Sequence, residues 1–311
     1  MDLKHLRYFI AVAEAGHITG AAERLGMQQP PLSRLIGAME RELGLQLFHR
    51  RPRGVELTEA GRAFHDKACM VLAHFDDAFE TARRTARGEQ GRIRVGLTPT
   101  GPLHPFVPRI IRAFREAFPL VSLTLEEGLS HDIIEQLRSG RIDTAFVWTP
   151  PADGLVINAL LDDELVVALP SGHVLARDRK AGAVALRALA NETFIVYGRK
   201  DGFGLFAATI ASCRAAGFSP RFGMEAPRLA SALSLTAAGF GIFFVPASVQ
   251  RVHMDGVTFR QLKGPYKPRS TLTLASRRGE PSAVVRSFVN MVKRASKDSP
   301  ATDRTQPPAE T

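Results

Sequence analysis

From Thr58 to Arg87 the chain has no proline and one glycine, Gly61. Nothing in that stretch breaks an α-helical hydrogen-bond ladder, so it reads as a single long helix. Thr58 is a good N-cap, and Glu59 places a negative charge at the positive end of the helix. Ala68, Phe75 and Ala82 are seven apart, and so are Phe64, Val71 and Ala78. Together they form an apolar seam of the kind that joins two helices. The helix separates a short N-terminal part from a long C-terminal part. It is expected to dimerise the protein rather than merely pack on its own domain.

The N-terminal part is helical. Leu6, Phe9, Ile10 and Ala13 line one helical face, and Gly16 ends that helix. A short second helix from Thr19 to Leu25 is stopped by Gly26, and Ala21 and Ala22 let a crossing helix come close. A third starts near Gln29-Pro30-Pro31, where prolines suit the first turn, and runs to about Leu43 before Gly44. Its Leu32, Ile36, Met39 and Leu43 face a core, while Ser33, Arg34 and Gly37 turn outward. Two helices joined by a tight turn, the second polar at its start, form a helix-turn-helix. Such a recognition helix enters the major groove N-terminus first. Gln29, Pro30, Pro31, Ser33 and Arg34 are therefore the candidate DNA-facing residues.

Leu45 to Phe48 and Val55 to Leu57 flank a Pro/Gly turn and read as a small hairpin. Arg50, Arg51 and Arg53 crowd its tip, which makes it a candidate clamp on the DNA backbone or minor groove. Net charge does not mark this region. The whole chain is +10, but residues 1–60 hold eight Lys/Arg against seven Asp/Glu. Placement of the arginines carries the inference instead.

After a hinge at Gly88-Glu89-Gln90-Gly91, strand and helix alternate. Strands are expected at 92–97, 121–125 and 142–148, with helices at 106–118 and 130–139. A similar order follows: strands at 193–197, 221–224 and 241–245, with helices at 205–216 and 229–238. Two successive βαβαβ units imply two similar lobes, each around a mainly parallel sheet. A strand at 165–169 lies between them. A late strand at 271–275 and a helix from 282 to about 294 imply that the chain crosses to the second lobe and returns. The expected domains are 1–58 for DNA binding and 59–90 for the linker helix and hinge. The first lobe is 91–163 with 269–296, the second 164–268, and 297–311 a disordered tail.

Ligands of such sheets sit beyond the carboxyl ends of the strands, here in the cleft between lobes. The loop after the first strand offers Thr98, Thr100 and Gly101, where hydroxyls and helix-start N–H groups suit an anion. Trp148 ends the third strand. Arg199 and Phe203 occupy the equivalent loop of the second lobe, with Lys200 beside them pointing to solvent. Leu129, Ser130 and Ala226 complete the candidate effector set. A cation, an aromatic ring and neutral donors suit a small carboxylate with an apolar body.

Other functions leave no mark. Mean hydropathy is −0.05, and no run approaches a membrane span of about 18 apolar residues. Met1 to Leu6 lacks the apolar core of a secretory signal, so a cytoplasmic protein is expected. Cys69 and Cys213 are too few for a disulfide framework or a cysteine zinc site. Gly198 to Gly204 is glycine-rich without a phosphate-loop pattern, and His131 with Glu135 reads as a solvated pair. No cofactor, metal or catalytic residue is expected. Two alternatives stay open: an enzyme or small-molecule binding protein using the same two lobes, or a regulator switched by its thiols.

Read together, several segments carry a resemblance: Leu6-Arg7-Tyr8-Phe9, Thr19 to Leu25, Gln29 to Arg34, Glu42-Leu43-Gly44, Leu47 to Arg50 and Leu57 to Gly61. At this spacing the chain resembles the LysR-type transcriptional regulators over about residues 1–295. Tyr8 to Glu14 and Val245-Pro246-Ala247-Ser248 look like the branch that controls catabolism of aromatic acids and chloroaromatics. The resemblance implies an N-terminal winged helix-turn-helix with a long dimerising helix, then an α/β two-lobed effector domain like a periplasmic binding protein. It implies a homodimer assembling to a homotetramer on an interrupted palindrome of double-stranded DNA near a promoter. A small-molecule inducer would switch transcription, with RNA polymerase a further candidate partner. Four positions depart from the family pattern. Gln28 stands where a serine usually caps the recognition helix, and His17 replaces a common serine before the preceding helix. Leu129 stands in place of a small hydroxyl residue, and Trp148 stands where that branch often carries arginine.

Overall fold

The structure is a computed structural model and describes residues 1–52, 54–148, 154–177, 182–197, 204–280 and 282–298. The chain forms two compact units, Met1–Arg84 and Thr85–Thr311.

In the first unit α1 (Leu3–Ala15), α2 (Ile18–Arg24) and α3 (Gln29–Leu43) pack around Phe9, Val12, Ala21, Leu32, Ile36 and Met39, all buried. A two-stranded hairpin follows, β1 (Phe48–Arg51) paired antiparallel with β2 (Gly54–Leu57). Gly54 is needed there. At φ +149° a Cβ would meet the Gly16 carbonyl oxygen at 2.3 Å, and Val55 N–H donates to that same oxygen at 2.7 Å. The long helix α4 (Glu59–Arg87) starts as expected, with the Thr58 hydroxyl accepting from Gly61 N–H at 2.8 Å. Ala68 is buried and Phe64 packs on the same core, whereas Met70, Val71, Ala78, Phe79 and Ala82 are exposed. Phe75 and Phe79 stack edge to face at 4.9 Å.

In the second unit β3 (Gln90–Leu97) lies between β4 (Leu120–Glu127) and β5 (Thr144–Trp148), all parallel. Helices α5 (Phe106–Ala117) and α10 (Ala283–Lys297) cover one face of this sheet, and α6 (Ser130–Arg138) the other. The second lobe repeats the pattern. There β8 (Thr193–Tyr197) pairs in parallel with β9 (Arg221–Ala226), and Phe194 bridges in parallel to Ile242, just before β10 (Phe243–Pro246). α8 (Gly204–Ala215) and α9 (Leu229–Ala237) pack on its two sides.

The expectation of two mainly parallel sheets needs correction. One strand, β6 (Leu155–Pro170), runs through both lobes instead of the short segment expected at 165–169. Its first part pairs antiparallel with β12 (Arg269–Arg277), which is itself antiparallel to β5. Its last part pairs antiparallel with β10 and β11 (Val257–Lys263). A chain that crosses to the second lobe and returns lays its two crossing strands side by side in opposite directions. The polar run Asp162-Asp163-Glu164 hid the first part of β6, because alternation is lost where the strand passes between lobes. A short helix, α7 (Val174–Arg177), and a short strand, β7 (Val184–Ala185), also lay outside the expected set. α10 extends to Lys297, and the expected tail from 299 onward lies outside the described residues.

Candidate DNA-binding and effector sites

The α3 start is built with few donors to satisfy. Gln28 is its N-cap and makes no side-chain cap bond. The first residues of a helix normally leave N–H groups unpaired, but Pro30 and Pro31 have none to leave. A poor cap therefore costs little here. Gln29, Pro30, Pro31 and Arg34 are exposed and Ser33 is half-buried, so the structure brings the five expected residues together on one end of the helix.

The hairpin is tied to the end of α3 by a residue that pattern reading missed. The Glu40 carboxylate accepts from the N–H groups of both Leu47 and Phe48, at 2.8 and 3.1 Å. The only sequence signal was a carboxylate near a helix end followed by a short apolar run. Arg50 is exposed. Arg51 is exposed too, but its guanidinium donates to Glu56 across the hairpin at 3.1 and 3.2 Å, which fixes the side chain. Arg53 lies outside the described residues.

In the second unit the carboxyl ends of the parallel strands of both lobes face one another. A Cβ on Gly204, at the start of α8, would lie 3.6 Å from the Trp148 carbonyl oxygen and 3.8 Å from the Ser130 hydroxyl. Leu103, in the 3-10 turn Gly101–Leu103, packs on the second-lobe cluster that contains Val245, Ala247 and Val249. Thr98, Thr100, Gly101 and Trp148 are buried at this junction, with Leu129 and Ser130 half-buried at the start of α6. Ala226 is buried at the end of β9, opposite Tyr197. Arg199, Lys200 and Phe203 lie outside the described residues.

Two details differ from the sequence reading. The loop after Thr98 holds a three-residue 3-10 turn and so does not lead straight into a helix start; α5 begins at Phe106, as expected. Gly101 N–H donates to the Thr98 carbonyl at 2.8 Å, so the turn consumes a donor expected to meet an anion. Trp148 is 1% exposed and packs in the first-lobe core, its ring edge to face with His104 at 6.4 Å. Two of the expected effector residues nonetheless carry unsatisfied groups. The Thr98 hydroxyl and the Trp148 indole N–H are buried without a hydrogen-bond partner among the described residues. Buried polar atoms are rarely left so, which makes each of them a candidate donor to a bound group.

Asp163, on β6 where it passes between lobes, was also not anticipated. It is buried, and its carboxylate accepts from Ser248 N–H at 3.3 Å. Burial pushes its pKa above the ordinary carboxylate value, with hydrogen bonding from Ser248 opposing the shift. The cysteines behave differently from each other. Burial pushes the Cys213 thiol up to about 12, which suits an inert core residue. Cys69 is only half-buried, with its Sγ 3.8 Å from His65 Nε2.

Comparison with known proteins agrees with this geometry. Residues 3–62 match the family "Bacterial regulatory helix-turn-helix protein, lysR family", and residues 86–297 match "LysR substrate binding domain". The chain is 34% identical over 293 residues to the HTH-type transcriptional regulator BudR of Raoultella terrigena, covering 94% of this chain and all of BudR. It is 35% identical over 295 residues to the HTH-type transcriptional regulator CatR of Pseudomonas putida, covering 94% of this chain and 98% of CatR. Among solved structures, full-length CbnR complexed with its target DNA superposes with a TM-score of 0.81 at 29% identity, covering 95% of this chain and 100% of CbnR.

Proposed function

The chain belongs to the LysR family of transcriptional regulators, and from that premise we propose which residues read DNA, which meet the inducer and how the subunits assemble. As a member of the family it is a regulator rather than an enzyme, binding DNA through its helix-turn-helix and responding to a small molecule through its two-lobed domain. No described helix is long and apolar enough to cross a membrane. A cytoplasmic site of action follows from the work itself, since the DNA it regulates is there.

The observation that carries the DNA assignment is the exposed cluster at the start of α3. Gln29, Ser33 and Arg34 reach base edges or adjacent phosphates, Pro30 and Pro31 pack against the duplex wall, and Arg50 with Arg51 and Arg53 holds the backbone from the hairpin. Residues 1–58 form this module and 59–90 the linker. The first lobe is 91–163 with 269–296, and the second 164–268.

The inducer site is the junction of the lobes. Thr98 and Trp148 donate to an oxygen of the ligand, and Thr100, Gly101, Leu129, Ser130 and Ala226 shape the cavity, joined by Arg199 and Phe203. Because Gly101 N–H is already used, the oxygen is held by side chains rather than by a helix start. An aromatic or other organic acid is the class proposed. Ligand that touches both lobes shifts the population of their arrangements, and with it the shape of the assembly on DNA.

Assembly needs two different surfaces, since a closed homotetramer of dimers uses two interfaces. One is the exposed apolar stripe of α4. The second is an apolar groove of about 510 Å³ between α5 and β4, lined by Leu97, Val107, Ile111 and Leu125, on the edge strand of the first-lobe sheet. RNA polymerase is the further partner of the DNA-bound tetramer.

Footprinting of the DNA upstream of the gene and its divergent neighbour, with and without benzoate-, salicylate- and muconate-like acids, tests the whole reading. Two protected half-sites whose spacing changes with one acid are expected. Protection of no interrupted palindrome, or no effect of any acid, overturns the operator or the inducer assignment respectively.

A further inference from the structure

The positive charge of this chain is not where its recognition helix is. Residues 1–84 hold twelve Lys/Arg and eleven Asp/Glu, whereas residues 85–311 hold twenty-nine and twenty. A DNA-binding protein whose excess charge lies almost wholly outside its helix-turn-helix carries that charge for another purpose, or for the same partner at another place.

Part of the excess is concentrated on one helix. α10 buries Val284, Val285, Phe288 and Val292 against the first-lobe sheet and contains no acidic residue. Its outer side exposes Arg286, Lys293, Arg294 and Lys297. Positions 286, 293 and 297 fall on one side of the helix, along a stripe about 16 Å long at 1.5 Å per residue. α5 packs alongside, Phe114 against Phe288 at 4.9 Å, and adds the exposed Arg109. The one acid of α5, Glu116, is paired with Arg112 at 2.9 Å, so it does not offset the stripe.

We propose that this basic face of the first lobe binds the phosphate backbone of double-stranded DNA flanking the operator, without reading sequence. The inference rests on the family reading of the N-terminal unit as the operator binder. Lysine and arginine on a regular stripe suit a regular polyanion. Once the helix-turn-helix holds the duplex, the neighbouring stretch of the same molecule is present at high effective concentration. A few phosphate contacts then matter, whereas an acidic protein would have to be recruited from solution. The face lets the effector domain gather flanking DNA.

The test uses the full-length protein and the footprinted operator, either trimmed to its protected region or extended by about thirty base pairs on each side, and reads the slope of affinity against salt for each duplex. The variant is Lys293→Gln/Arg294→Gln/Lys297→Gln, whose side chains are all exposed. Wild type should show a steeper slope on the extended duplex than on the trimmed one. The variant should lose that difference, by about 0.9 in slope for each phosphate contact removed. Its binding to the trimmed duplex should be unchanged, which separates this face from operator recognition. Equal slopes for both proteins on the extended duplex overturn the proposal. So does a variant that binds both duplexes like wild type yet fails to regulate a purified transcription reaction, because the face would then serve a protein. Failure of wild type to bind the trimmed duplex with any sequence preference would instead overturn the operator reading, and flank-dependent slopes would still decide this one.

Discussion

His17 caps helix α2 with its imidazole: Nδ1 accepts the Gly20 N–H at 2.9 Å. The cap requires a glycine three residues on, because a Cβ at position 20 would lie 2.0 Å from His17 Cε1. The imidazole cap at position 17 and the glycine at position 20 therefore explain each other. Gly20→Ala should displace the imidazole and lose a cap interaction of about 0.5–2 kcal/mol, while gaining up to about 1 kcal/mol in helix propensity. Coupling with His17→Ser, a smaller cap, should make the double variant more stable than the sum of the two singles, by urea denaturation of a double-mutant cycle. Additive effects would show that the two side chains are independent.

Glu40 links the recognition helix to the hairpin through its bonds to Leu47 and Phe48 N–H. Hydrogen bonds to a charged group contribute about 1.5–3 kcal/mol. Glu40→Ala should reduce stability by that order and weaken operator binding although Glu40 itself faces no DNA. Glu40→Gln keeps an acceptor and should recover most of both. A Glu40→Ala protein with wild-type affinity would separate hairpin placement from DNA binding.

Arg34 and Arg50 should fail differently. If Arg34 reads a base edge, Arg34→Ala costs about 1–3 kcal/mol and relaxes specificity at one operator position. Arg50→Ala should weaken binding across sequences and flatten the salt dependence by about one phosphate contact. Arg51→Ala should do less, because its guanidinium is engaged by Glu56. Binding to a panel of single-base operator variants at two salt concentrations distinguishes these outcomes.

Val71 and Phe79 are 45% and 53% exposed on α4, too much apolar surface to leave in water along one helix. Val71→Asp with Phe79→Asp should give a folded monomer in sedimentation velocity and abolish binding to the full palindrome. Since neither side chain belongs to the first-unit core, the melting transition should persist. A dimer that survives both substitutions would place the interface elsewhere.

Asp163 is an acid whose folded pKa lies above its ordinary value of 3.8, so its ionisation opposes folding. The stability it contributes is present at low pH and is lost as pH rises through the raised value. Asp163→Asn keeps an acceptor for Ser248 N–H without the charge. At neutral pH the variant should be at least as stable as wild type, and the two should converge as pH falls toward 4. Denaturation curves across that range check the sign; a wild type that loses ground to the variant on acidification would reverse it.

Local pattern made the first unit legible. The periodic apolar faces of α1 and α3, the glycines after them, the two prolines at the start of α3 and the uninterrupted α4 are properties of neighbouring residues, and neighbours are what a sequence displays. The same holds for the parallel strands β3, β5 and β8, whose apolar runs are buried on both faces. The course of β6 was not legible, because Asp162, Asp163 and Glu164 are held by partners on β12 and near Ser248, more than eighty positions away. The capping role of His17 depended on empty space above Gly20, and the tie from Glu40 on the hairpin's approach to α3. The Thr98 hydroxyl and the Trp148 indole N–H became unsatisfied groups only when folding buried them away from water. Backbone preference and apolar periodicity act over a few residues and fixed the elements. Burial, close approach and the pairing of distant polar groups arise only once the chain has closed on itself, and they decided which polar groups are buried, paired or left exposed.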